Sequence, residues 1–202
     1  MSVAYSPLRY PGGKTRFYPY VKELIEYNGL IGETYIEPFA GGAGLALKLL
    51  LNDDVKRIVI NDFDPAIYSF WYSILNFTDA FCSMIWETEL TPAEWGKQRL
   101  IYAEADLTDP LKLGFATFFL NRTNVSGVIT GGLIGGQKQK GKYKMNARFN
   151  KGALVARIRR IAERREQIVV LNEDAMQLLK PQELRRFYKA FLNLDPPYVN
   201  KG

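Results

Sequence analysis

The sequence predicts an α/β fold of the doubly wound kind, and three stretches carry that prediction. TYIEPFAGGAGLALKLLL, from Thr34, reads as a short strand at Tyr35 and Ile36, a Glu-Pro stop, a glycine-rich turn and an apolar helix from about Leu45. Lys56 to Ile60 (KRIVI) is a second strand, ended by Asn61-Asp62-Phe63-Asp64. Lys189 to Leu194 (KAFLNL) is a buried strand stopped by Pro196 and Pro197, which leaves Asp195 and Tyr198 at its carboxyl end. Open α/β sheets place their ligands at the carboxyl ends of their strands, so all three stretches point to one region.

Taken in order, SPLRYPGGKTR turns at Pro11-Gly12-Gly13 and presents Lys14 ahead of a helical stripe at Phe17, Tyr20, Val21, Leu24 and Ile25. The glycines let the backbone pass close to a ligand, and Lys14 offers a cation for a carboxylate or phosphate; the spacing is not that of a P-loop. In the next turn, small residues from Ala40 to Gly44 admit a ligand to the backbone, and the following helix terminus adds donors. The spacing is not G-x-G-x-x-G, which disfavours a hydride carrier. Asp62 stands about twenty residues past this turn, where the architecture holds a ribose diol, and Asp64 is placed to cap the helix beginning at Pro65.

Asp64 to Asn76 and Thr78 to Glu89 read as apolar-faced helices, and Thr91 to Glu94 as the capped start of another; Trp71, Tyr72, Trp86 and Trp95 read as core or interface. Leu111 to Asn121 is a further helix, followed by Arg122-Thr123-Asn124. Ser126 to Asn150 is glycine-punctuated and basic, with Tyr143 and Phe149 interleaved. Arg122, Asn124, Lys138, Lys140, Lys142, Lys144 and Arg148 there suit a nucleic-acid backbone and base edges; a flexible surface insertion is the bland alternative. Lys151 to Arg165 resumes a helix, Gln167 to Leu171 gives a third strand, and Pro181 to Phe187 a last short helix. Asp174, after the third strand, either accepts from an adenine amino group or only caps the helix from Ala175 to Leu179.

Composition narrows the chemistry. The 202 residues suit one domain with an insertion, and the single cysteine, Cys82, leaves no internal disulfide and reads as core. With no histidine, Ser-His-Asp and Cys-His chemistry, imidazole ligands and the usual general base are excluded. No targeting pattern or membrane-length apolar run is present, so the expectation is a soluble cytoplasmic protein. The net charge of +6 is uneven: residues 138–165 carry +10 and the remainder −4, a local patch suited to a polyanion or to the solvated face of a helix. At the last strand, an exocyclic amino group on a base needs two acceptors and a flat surface, which Asp195, the Pro196 carbonyl and the Tyr198 ring supply; alone, DPPY also fits a plain Asx-Pro turn.

In order, PLRYPGGK, EPFAGGAGLAL, IVINDFD, FFLNR, NED and DPPY resemble the Dam-like, alpha-class DNA adenine N6-methyltransferases over nearly the whole chain. The resemblance implies a Rossmann-like S-adenosylmethionine-dependent methyltransferase sheet, residues 1–76 and 151–202, with an inserted, mainly helical and basic DNA-recognition segment at 77–150. It implies S-adenosyl-L-methionine as cofactor, held by Tyr10, Lys14, Phe39, Ala40, Gly41, Gly42, Asp62, Asp174 and Asp195. Asp195, Pro196, Pro197 and Tyr198 would act on an adenine flipped from double-stranded DNA, contacted by residues 122–149. Attack of a neutral amine on a sulfonium methyl needs in-line placement and acceptors, not a histidine. Ala43 stands where the family often has glycine. The family's sheet continues past its fourth strand, so the expectation is a free edge that a second chain or self-association completes. A cognate restriction endonuclease is an implied partner. RNA amino-group methylation, and a fragment that binds cofactor or nucleic acid without turnover, are the alternatives.

Overall fold

Four short strands form one wholly parallel sheet in the order β3-β2-β1-β4, in a computed structural model that describes residues 5–10 and 14–196. β1 is Thr34–Glu37, β2 Arg57–Asn61, β3 Ile168–Leu171 and β4 Ala190–Leu192. In register, Tyr35 lies opposite Ile58 on one side and Phe191 on the other, and Val59 lies opposite Val169. Parallel strands need crossovers, and α2, Gly44–Leu51, supplies the one between β1 and β2. Five of its eight residues are buried, as its nearly unbroken apolar sequence requires. β4 pairs with β1 alone, and among the described residues no strand pairs with its other edge.

The chain divides into two compact units. One comprises Gly13–Asp64 and Arg164–Gly202, and holds the sheet, α1 (Tyr18–Tyr27), α2 and the short helices α8 (Ala175–Leu178) and α9 (Pro181–Leu184). On α1 only Val21 and Ile25 of the expected stripe are buried; Phe17 and Tyr20 are exposed, so this helix rests on a narrower face than its sequence predicts.

The other unit, Met1–Gly12 with Pro65–Glu163, holds α3 (Pro65–Asn76), α4 (Thr78–Glu87), α5 (Pro92–Glu104), α6 (Pro110–Thr123) and α7 (Lys151–Ala162). α3 and α7, which the sequence reading gives to the sheet domain, therefore pack with the inserted helices. α7 packs on α4 and α3, and the apolar face of α3 meets aromatic side chains: Phe70, Phe81, Phe115, Phe118 and Phe149 form a chain of stacked and edge-on rings. Gly114 permits the approach of α6 to α3, since a Cβ on it would lie 2.5 Å from the Ser69 carbonyl oxygen. Thr91, Asp109 and Asn150 cap α5, α6 and α7 by accepting from backbone N–H groups at 3.0–3.1 Å. Trp71, Trp95 and Cys82 are buried, whereas Trp86 is exposed. Among the described residues no helix is long and apolar enough to cross a membrane.

Candidate active site

The carboxyl ends of β1 and β2 are joined by backbone donors from the loop at 38–43. Ala40 N–H donates to the Asn61 carbonyl at 2.8 Å, and Gly41 N–H to Asp62 Oδ2 at 2.8 Å. Gly41 has φ +47°, the left-handed region that turns its N–H toward that carboxylate. Asp64 N–H donates to the other oxygen, Oδ1, at 3.0 Å. Burial raises the Asp62 carboxyl above the usual carboxylate range, and these two backbone donors act against the rise. Each oxygen keeps a lone pair beyond the one it has spent, so Asp62 remains able to accept from a diol.

Asn61 is the buried hub beneath this turn. Its amide donates to the Pro38 and Glu173 carbonyls, both at 2.9 Å, and accepts from Glu173 N–H at 2.9 Å, binding the loop after β1 to the end of β3. Asn172 adds a second tie, donating to the Asp62 carbonyl at 2.7 Å.

At the end of β4, Asp195 forms an ion pair with Lys14 at 3.2 Å, both side chains being partly exposed. Lys14 opens the 3-10 turn Lys14–Phe17, which reaches the first turn of α2. Below the pair lies a polar group that the sequence reading did not include. Tyr35 Oη donates to Glu37 Oε1 at 3.0 Å, both residues being buried. The Ala46 backbone N–H and the Asn193 side chain also favour the charged form of Glu37. Ala43, the N-cap of α2, makes no side-chain cap bond. Burial first, and then the charge of Asp195, push the Glu37 carboxyl up to about 7 despite those donors.

The other expected ligand residues are spread more widely. Phe39 is half-buried, and Ala40, Gly41 and Gly42 are buried within the turn. Asp174 is exposed and caps α8, accepting from Met176 N–H at 2.8 Å. Tyr10 lies in the helical unit with its ring exposed. Pro196 is exposed, while Pro11, Gly12, Gly13, Pro197 and Tyr198 lie outside the described residues.

In the basic stretch, Lys138, Lys140, Lys142, Lys144 and Arg148 are exposed. Asn124 is not: it is fully buried, its side chain accepting from Trp95 Nε1 at 2.6 Å and donating to the Val128 and Ile129 carbonyls. Those bonds leave it no face for a DNA contact, and its work is to fold the loop. Arg122 is half-buried, donating to the Pro7 and Arg148 carbonyls.

Glu37, Asn61 and Asn193 are the residues that sequence reasoning passed over. Their one signal is a polar side chain at or just past the end of an apolar strand, which also describes an ordinary turn. No individual curated protein matches the chain closely enough to count as a relative. Its residues 10–201, nearly the whole length, match the D12 class N6 adenine-specific DNA methyltransferases, and the chain belongs to that family.

Proposed function

We propose that the chain transfers a methyl group from S-adenosyl-L-methionine to N6 of an adenine turned out of double-stranded DNA. The observation that carries the reading is the Lys14–Asp195 pair, a cation and an anion 3.2 Å apart at the end of β4. An α-amino acid is a zwitterion and is complementary to such a pair, Lys14 taking its carboxylate and Asp195 its ammonium. Asp62, with lone pairs to spare, suits the ribose hydroxyls, and the buried small residues of the 40–42 turn suit close approach of the cofactor's body. The residues present in this unit therefore fit the group, Phe39 and Asp174 adding to the set expected from the sequence. When bound, the cofactor supplies a methyl made electrophilic by its sulfonium.

The chain's own part is placement and proton acceptance. Asp195 and the Pro196 carbonyl accept hydrogens of the adenine amine and bias its lone pair outward, while Tyr198 stacks on the flipped ring. The amine proton leaves after transfer, so no histidine is needed. The exposed Lys138, Lys140, Lys142, Lys144 and Arg148 hold the duplex.

The test is transfer of labelled methyl to unmethylated DNA by the purified chain, with digestion to identify the product base and RNA as a parallel substrate. The expected product is N6-methyladenine in DNA. Asp195→Ala should lose on the order of 10²-fold or more in rate, as for removal of one preorganised acceptor. A variant that turns over at the wild-type rate, or methyl transfer to RNA alone, overturns the reading.

A further inference from the structure

Four arginines converge in the helical unit without a carboxylate among them. Arg122 is held by the Pro7 and Arg148 carbonyls, and the charges of Arg9, Arg157 and Arg148 all act on it. Arg9 Nη1 donates to the Asn124 carbonyl at 2.9 Å, and Arg157 Nη1 to the Ser6 carbonyl at 3.1 Å. The cluster is built rather than incidental. Asn121, buried on α6, accepts from Arg9 N–H at 2.7 Å and donates to the Arg9 carbonyl at 2.8 Å, clamping that residue's backbone in place.

Among the described residues none of the four arginines is in an ion pair, and the stretches outside them, 1–4, 11–13 and 197–202, contain no Asp or Glu side chain. Arg122 Nε is sealed from solvent and has no hydrogen-bond partner. Burial, and then its three neighbours, lower the Arg122 guanidinium to about 9, a measure of how poorly its charge is compensated. Repelling cations held together by backbone carbonyls are stable only if something of opposite sign is brought to them.

We infer that Arg9, Arg122, Arg148 and Arg157 form a socket for a phosphodiester of the DNA backbone, an inference that rests on the DNA reading above. A phosphate fits better than a base edge. Guanine readout needs a free bidentate fork, and on Arg122 each terminal nitrogen already gives one N–H to a carbonyl, while on Arg9 and Arg157 one nitrogen does. What the cluster offers is charge, which binds the backbone without reading sequence. Arg9 and Arg157 lie outside the basic loop, so the DNA-holding surface includes the amino-terminal segment and α7.

The test is salt titration of duplex binding, followed by anisotropy, for wild type, Arg9→Gln, Arg157→Gln and Arg157→Lys. Each Gln variant should lower the slope of log K against log salt by about 0.9, so that affinity falls roughly threefold to fourfold less between 50 and 200 mM salt. The loss in affinity should be equal on unrelated duplexes, and Arg157→Lys should keep the wild-type slope. Inorganic phosphate at matched ionic strength should compete only weakly; competition as strong as that of a duplex overturns the assignment to DNA and leaves a free-anion site. A wild-type chain that binds duplex, with slopes unchanged in both Gln variants, overturns the socket alone. A wild-type chain that binds no duplex overturns the DNA reading and the socket with it.

Discussion

Replacing Asn61 by Asp changes one group and no volume, and the structure makes its cost calculable. The Asn61 amide nitrogen lies 2.9 Å from the carbonyl oxygens of Pro38 and Glu173, and its oxygen accepts from Glu173 N–H at 2.9 Å. An Asp keeps the last bond and loses the other two, setting a carboxylate oxygen against two carbonyl oxygens at a fully buried position. Two lost bonds at about 1 kcal/mol each, with two carbonyls left facing an acceptor, give a destabilisation of about 3–5 kcal/mol at pH 7. Urea unfolding with equal m-values measures it. Part of the loss should return toward acid pH, where the new carboxyl takes a proton and regains one donor. In whatever fraction folds, Pro38 and Glu173 are no longer tied together, so S-adenosyl-L-methionine should bind more weakly. A loss below about 1 kcal/mol at pH 7 would refute the view of Asn61 as the hub of the turn.

Other outcomes follow from the same geometry. Ala43 has φ +45°, a region costing a non-glycine residue about 1–2 kcal/mol, so Ala43→Gly should stabilise by about 0.5–1 kcal/mol after the entropy of the freer unfolded chain, read by urea unfolding. Glu37, at about 7 when folded and about 4.5 in a free chain, binds more protons folded than unfolded between those values, so its contribution is present at low pH and lost as pH rises through 7. Stability should fall by about 3 kcal/mol across that window, and in Glu37→Gln the fall should vanish, measured by unfolding from pH 4.5 to 8. Gly114→Ala forces a methyl to within 2.5 Å of a backbone oxygen and should cost about 3 kcal/mol or more in thermal unfolding. Lys14→Met removes the partner of Asp195 and should weaken cofactor binding by calorimetry on the order of tenfold, with little loss of fold.

The strands and most helices were legible because each announces itself locally. KRIVI and QIVVL are β-branched runs between polar stops, and Thr91, Asp109 and Asn150 cap where polar residues precede helical runs. Lys14, Asp62 and Asp195 stand out in the sequence because a glycine turn or proline pair marks each position, and in the structure Lys14 pairs with Asp195 while Gly41 N–H donates to Asp62. The extent of the helical unit was not legible: α3 and α7 carry apolar faces that fit a sheet or other helices equally, and the packing of α3 on α6 and of α7 on α4 and α3 decides between them. Asn124 was misread because a polar residue after a basic one in a loop looks exposed, and its bonds to Val128 and Ile129 depend on a fold that brings their carbonyls inward. Glu37 was passed over because its partners, Ala46 and Asn193, come from different elements.

That last group bears on how the end of β4 can hold a charge. Glu37 ends β1 and Asp195 lies just past the end of the neighbouring β4, and the charge of Asp195 adds to the rise of the Glu37 carboxyl. Their surroundings separate them. Glu37 is buried among Tyr35, Ala46 and Asn193 and has no ion-pair partner among the described residues, so burial drives it toward its protonated form. Asp195 is partly exposed and pairs with Lys14 at 3.2 Å. The fall in stability should therefore level off as pH rises past the value at which Glu37 ionises in the folded chain, and that levelling should be absent from Glu37→Gln.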